Sequence, residues 1–558
     1  MSAIGEKITR IYGNFRGVDF RGEEINIIRS PDSLNVWKDY KETESIRTRP
    51  GMEKKLGFDF PVYGIFFYKG QTLVHSGSDL YRIRNGATEI ICTGLNESVS
   101  DGFIYEDIWY FKDGKHYLRY DDHDITDVEG YVPTTSIGRK PSGGGTTYQD
   151  VNMLTGRRIN TFLADGKSKE FLLDSMNIDD DFTPIVKVED KAVSNYTIDY
   201  AKGKITFTQI PSAPLTDGQD NISVEFKKDI SGYRDIILQC TILQVFDNRV
   251  FFSGNPKFPN VVYHCSLDDP TYCSDLDYYR EGIDSAQVRG LVAGNNALWA
   301  FREPSESNTN VFYHIPTLDD DYGKIYPSTH SSVALGCVGK AINFNDDIVF
   351  FSDRGMEGIS GDITTEQVAA HRSSLVDRKL ISEPDYRNMI LVEWEGYLFV
   401  IIGDKAYLAD SRTAFTNENH IEYEWFYWQL EKKITCAKVY NGVLYLGTED
   451  GVYTLTDLTC NIESYWVTPK DKFKYPHHQK TTNKKGCVAE ATGDITVYAK
   501  TDKTGFELIG AFENVTDYFV SRIKKKKFKD IQLKFYSKTR FSLETVTLEC
   551  YIGAYVKR

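Results

Sequence analysis

The chain has 558 residues, 41% of them apolar and 13% aromatic, and a formal net charge of −14. That is enough apolar material for a large core and excludes a disordered chain, while the acidic balance excludes a general nucleic-acid coat, which phosphates would repel. No apolar run reaches the ~18–20 residues of a membrane-spanning helix, and the opening Met1-Ser2-Ala3-Ile4-Gly5-Glu6 lacks the basic-then-apolar pattern of a secretory leader.

The arm at 1–60 carries no sustained apolar period; short helices are expected in it and again near 365–380, and the arm is also a candidate to supply a closing strand to the propeller. Elsewhere Tyr 36 and Phe 32 against Met 6 favour strands. Turn dipeptides recur at Asn85-Gly86, Asp101-Gly102, Asp113-Gly114, Asn441-Gly442 and Asp450-Gly451, where positive φ is cheap. From residue 61 a strand–turn–strand–turn–strand unit repeats. The first apolar residue after its turn is Leu73, Ile108, Val250, Leu298, Ile348, Leu398 and Leu444. The last four steps between these anchors are 46 to 50 residues, the length of one four-stranded propeller blade. One such sheet cannot bury both faces alone, and stacking sheets around an axis does. The expectation is an all-β chain whose β-propeller, of six to eight blades, occupies 61–136 and 232–464.

The step from Ile108 to Val250 is too long for one blade. Pro141-Ser142-Gly143-Gly144-Gly145 reads as a flexible linker, and strand patterns follow at 158–163, 171–173, 185–188, 196–200, 205–208 and 222–226. This predicts a β-sandwich inserted over 137–231. From 465 to 558 there are 19 Lys+Arg against 10 Asp+Glu, a net of +9, so the preceding residues carry −23. Val546, Leu548, Cys550, Ile552, Ala554 and Val556 alternate, as do Ile531, Leu533 and Phe535, which predicts a basic C-terminal β-sandwich.

The nine cysteines, at 92, 240, 265, 273, 337, 436, 460, 487 and 550, are odd in number and form no C-x-x-C pair. Reduced, buried thiols in a protein made in a cytoplasm are expected, and no zinc ribbon. No nucleophile elbow, H-E-x-x-H or phosphate loop occurs, and Ser352-Asp353-Arg354-Gly355 falls short of a sialidase turn. No catalytic residue, cofactor or metal is therefore assigned. The acidic runs Asp121-Asp122-His123-Asp124, Asp179-Asp180-Asp181 and Asp319-Asp320-Asp321 lack the ligand spacing of a calcium loop and read as solvated turns. The densest positive run is Arg522, Lys524, Lys525, Lys526, Lys527 and Lys529. It reads equally as a patch for an acidic partner or phosphates and as an edge strand blunted by lysine. The stretch 470–485, with Tyr475 and His477-His478, reads as a loop that orders on a partner.

The arm contains Asn35 and Trp37, then Arg47, Arg49, Pro50 and Gly51. An Asn–aromatic segment followed by an Arg-Pro-Gly turn resembles the opening of bacteriophage tail and head–tail connector proteins. The Gly-Cys strand and FFSDRG hairpin within 332–361 resemble phage propeller blades, and the segment TGRRINTFLADGKSKEFLLD at 155–174 resembles a β module recurrent in phage structural proteins; together these resemble the tail-nozzle, or packaged-DNA stabilization, group. The resemblance covers most of the chain and implies a non-enzymatic virion protein of the tail or neck. Such a protein forms a ring, a hexamer, below the portal and adaptor and makes the exit channel for DNA passing without sequence specificity. Acidic blades would let DNA slide through that channel. The rival reading is a receptor- or carbohydrate-binding propeller using Trp299, Trp394, Trp425, Trp428 or Trp466 as sugar platforms.

Overall fold

The computed structural model describes residues 5–40, 45–320, 323–360, 366–417, 420–458 and 461–555. Cys460, Asp321, Val556 and the first four residues lie outside them. The chain divides into two compact units, one of residues 1–90 and 331–558 and one of residues 91–330.

Among the described residues seven four-stranded antiparallel sheets form the blades of the propeller. Blades 1 (62–93), 5 (341–371), 6 (390–429) and 7 belong mainly to the first unit, and blades 2 (101–127), 3 (242–280) and 4 (288–330) to the second. Every blade joins its first two strands through two adjacent residues at positive φ: Lys69-Gly70, Glu106-Asp107, Asp247-Asn248, Asn295-Asn296, Asn345-Asp346, Glu395-Gly396 and Asn441-Gly442. Two consecutive left-handed residues match the right-handed twist of the strands they connect. Each of the seven sequence anchors falls on the strand that follows this turn, and six of them are buried to 1% exposure or less. Asp101-Gly102 is not a turn: it lies within the strand Asp101–Tyr105, and the turn comes five residues later.

Blade 7 takes three strands from 434–456 and its fourth, Gly51–Gly57, from the arm. That strand runs antiparallel to Gly451–Thr456, with Gly51 opposite Thr456 and Glu53 opposite Thr454. The arm is therefore strand, not helix. Four of its other strands, Lys7–Gly13, Ser33–Leu34, Val36–Lys38 and Ile46–Thr48, join the C-terminal sheet, and Gly17–Val18 pairs with Arg29–Ser30. In that sheet the 24-residue strand His478–Thr501 pairs with Phe541–Tyr555 over its first part and with Ile531–Ser537 over its last. The sheet thereby folds over one core containing Val497, Leu533, Phe535, Leu543 and Leu548, together with Trp428 of blade 6 and Trp37 of the arm. The C-terminal β layers are thus completed by four strands of the arm, between residues 7 and 48.

In the second unit a six-stranded and a three-stranded sheet, spanning 134–227, close on Phe162, Phe171, Phe207 and Phe226. The segment 141–145 is not an interdomain linker. The strand Thr134–Arg139 before it already pairs in the inserted sheet, and Arg139 donates to Gly144 O at 2.6 Å and to Leu172 O at 2.9 Å, which ties the glycine turn down. The helix expected near 365–380 shrinks to Asp377–Leu380, because Val368–His371 is the outer strand of blade 5; residue 365 lies outside the described residues. The helix Tyr233–Leu238 has no sequence period to betray it. Buried Lys112 holds its C-terminal end, donating to Ile237 O at 2.6 Å and Leu238 O at 3.1 Å.

Candidate functional site

A large charged concavity lies on the C-terminal sheet. Residues 483–486 bulge out of the strand His478–Thr501: Thr482 faces Cys550 and Cys487 faces Leu548, so four residues stand opposite one. On the other side the same strand pairs with Tyr518–Ser521 and then with Lys526–Phe528. The residues between those strands cross the bulge, held by Thr482, whose Oγ1 donates to Ile523 O at 2.6 Å and accepts from Lys525 N at 3.0 Å. Gly486, at φ +69°, makes this approach possible. A Cβ there would sit 2.4 Å from Ile523 N and 2.5 Å from Ser521 O.

The result is an open groove of about 1030 Å³. Its walls carry Lys484 and Lys485 from the bulge and Arg522, Lys524, Lys525 and Lys526 from the crossing segment, and Val488, Tyr518 and Val520 supply apolar surface. Tyr518 is 61% exposed and Val520 40% exposed, which is unusual for neighbours on a sheet face. Two carboxylates temper the charge. Glu507 pairs with Lys525, and Glu549 accepts from Asn483 and pairs with Lys7 at 2.6 Å. Arg522, Lys524 and Lys526 remain solvent-exposed. Lys527 and Lys529, of the same sequence run, do not line the groove. What the linear sequence leaves apart is the pairing of this run with Lys484-Lys485 some forty residues earlier; only the register of the long strand brings them together.

Much of the rest of 470–485 is held by the chain itself, while Lys474, Pro476 and His477 are exposed. Lys472 pairs with Glu24 at 2.5 Å, and Asp471 accepts from Arg10 at 2.5 Å and from Tyr12 at 2.9 Å. Lys480 is fully buried and donates to Tyr475 O and Lys529 O, each at 2.6 Å; burial lowers its pKa.

The N-terminal motif is a closure knot. Asn35 sits at φ +55°, where an asparagine is tolerated. Its Oδ1 accepts from Arg49 Nε at 2.9 Å and from Gln429 N at 2.8 Å, and its Nδ2 donates to Glu463 O at 2.8 Å. Arg49, 1% exposed, also donates to Pro50 O at 2.8 Å and Gln429 O at 2.7 Å and reaches Glu431 at 3.1 Å; burial lowers its pKa. Trp37 stacks on Trp394 at 5.8 Å and meets Trp428 edge-on at 5.4 Å. Arg47 pairs with Asp39 at 3.4 Å and Asp457 at 3.2 Å. Pro50 leads straight into Gly51, the first residue of the strand that completes blade 7. These residues join the arm, blade 6 and blade 7, and offer little surface to a ligand.

The tryptophans proposed as sugar platforms are interior. Trp299, Trp425, Trp428 and Trp466 are all buried, and Trp394 is half-buried against Trp37 with its Nε1 on Gly442 O. Among the acidic runs, Asp121 Oδ1 accepts the N–H groups of His123 and Asp124 at 2.9 and 3.0 Å, Asp179 accepts from Asp229 N at 2.8 Å, and Asp181 pairs with Lys227 at 2.5 Å. No group of three metal-ligating side chains occurs among the described residues. The eight described cysteines are all free thiols; Cys240, Cys265, Cys436, Cys487 and Cys550 are pushed up to about 12 by burial. No helix of the described residues is long and apolar enough to cross a membrane.

No protein-family model matches the chain, and no curated protein matches it. Solved structures similar to it include BamB from Moraxella catarrhalis, with TM-score 0.34 and 11% identity, covering 73% of this chain and 97% of that one. Hsv2 of Kluyveromyces marxianus aligns with TM-score 0.26 and 8% identity over 67% of this chain and 98% of its own. PorZ, a surface component of the type-IX secretion system of Porphyromonas gingivalis, aligns with TM-score 0.19 and 12% identity over 82% of this chain and 70% of its own.

Proposed function

We propose that the chain is a bacteriophage virion protein of the tail nozzle or head–tail connector. In this reading it assembles as a ring, a hexamer, below the portal, surrounds the DNA exit path and helps retain packaged DNA. It acts by assembly and not by catalysis; it is made in the host cytoplasm and works in the tail or neck of the particle. The observation that carries the reading is the separation of charge. A groove walled by lysine and arginine, with exposed apolar residues between them, stands on a chain whose first 464 residues carry −23. A subunit of a ring needs two different complementary faces, and such a chain has surfaces of both signs. The resemblance of the arm and of the 332–361 blade to connector proteins supplies the place in the particle.

Immunoelectron microscopy of the native particle, with an antibody to this chain, tests the proposal. Label at the neck, in a closed ring around the exit channel, supports it. Label at distal fibre tips, or only on molecules free of any particle, overturns it.

A further inference from the structure

We infer that the basic groove receives the acidic outer edge of blade 2 from a second copy of this chain, residues 121–129. The inference rests on the ring reading and names the contact that would build it. The groove makes two demands on an occupant. Arg522, Lys524, Lys526 and the bulged Lys484-Lys485 require negative charge, and Tyr518 and Val520 require something apolar to cover them. Duplex DNA answers the first demand only, since its outer wall is phosphate and sugar. An acidic protein edge with an apolar side chain among its carboxylates answers both.

The chain contains such a segment. Residues 121–129 read Asp, Asp, His, Asp, Ile, Thr, Asp, Val, Glu: five carboxylates with no Lys or Arg. Asp121, Asp124, Asp127 and Glu129 are exposed, Val128 is buried in the core, and half-buried Ile125 is the apolar side chain the segment offers. Ile125–Asp127 is the outermost strand of blade 2. It pairs with Tyr117–Tyr120 on one side and with no other strand among the described residues. Its outer edge thus presents backbone carbonyls to incoming ammonium groups as well as carboxylates. Only Ile125–Asp127 is extended, over about 10 Å, and Asp121 to Asp124 form a turn before it, so the edge would enter the open groove as a short acidic corner. The contact is heterologous, groove to edge, so each copy keeps one half of it for the next neighbour, and a ring uses every half.

A charge exchange in the full-length chain tests this, read by sedimentation velocity over a range of concentrations at low and high salt. Wild type is expected to self-associate, less so as salt rises. The pair Lys524→Glu and Lys526→Glu should weaken association about tenfold or more, and the pair Asp124→Lys and Asp127→Lys should do the same. Equal amounts of the two variants, mixed, should associate through two contacts, native groove with native edge and reversed groove with reversed edge, and the chain carrying all four substitutions, which has only the reversed contact, should again associate with itself. Failure of the mixture or of the fourfold variant to associate, or a wild type that stays monomeric throughout, overturns the inference. So does a groove variant that self-associates normally but loses salt-sensitive binding to a DNA oligonucleotide, which makes the groove a nucleic-acid site. Neck label without charge-exchange rescue leaves the nozzle reading standing and removes this contact; rescue in a chain found at fibre tips does the reverse.

Discussion

Arg49 shows how one buried side chain fixes a fold. Its guanidinium donates to Asn35, Pro50 and Gln429 and faces Glu431, so removing it strands several acceptors in a desolvated place. Arg49→Ala is expected to cost about 3 kcal/mol or more, read as an earlier thermal transition of the first unit. Arg49→Lys should recover little of it, because a single ammonium cannot reproduce the planar fork. His371 gives a prediction with a pH sign. Burial works against its charge, but Asp377 at 2.5 Å and Glu357 at 3.0 Å prevail and raise its pKa to about 10. A histidine so raised stabilises the folded state fully below its ordinary pKa of about 6.5, and that contribution fades as pH rises through about 10. The stability gap between wild type and His371→Gln should therefore be widest in mild acid and close above about pH 10; a gap that widens with pH contradicts the ion pairs.

At the scale of elements, the groove depends on the bulge. Gly486→Ala forces a Cβ onto backbone atoms of the crossing segment at a positive φ, and is expected to cost about 2 kcal/mol or more and to raise hydrogen exchange at 481–488 and 518–526. Unchanged protection there means the approach is looser than the geometry requires. The blades were legible in the chain because each must place two left-handed residues before a strongly apolar strand, and Asn, Asp and Gly mark that turn. The inserted strands around Phe171, Ile185, Ile205 and Ile222 were legible for the same reason: alternation bounded by turn residues. What stayed hidden was long-range. The ambiguous first and last blades point to a closing strand from the arm, but nothing local to Gly51–Gly57 singles it out as that strand, and nothing in Lys484-Lys485 says that it faces Lys524. Arg139 hid the role of its glycines, because a turn pinned by one guanidinium and a loose linker share a composition.

For the whole molecule, removal of residues 1–57 should leave blade 7 with three strands and the outer edge of Gly451–Thr456 bare, besides stripping Trp37 from the core shared with blade 6. Such a chain is expected to be recovered largely as aggregate, judged by the soluble fraction after expression, while the full chain stays soluble. The way the arm threads into blade 7 also sets an order of events during synthesis. The strand Gly51–Gly57 leaves the ribosome early, but its partner Gly451–Thr456 follows only after some four hundred more residues. At about 5–20 residues per second, that strand waits on the order of a minute with its edge unmatched. The charged run Glu53, Lys54 and Lys55 within it is suited to that interval, since it keeps a nascent strand from pairing with its counterpart on a neighbouring chain. Polysomes translating many copies at once are where such a safeguard would matter most.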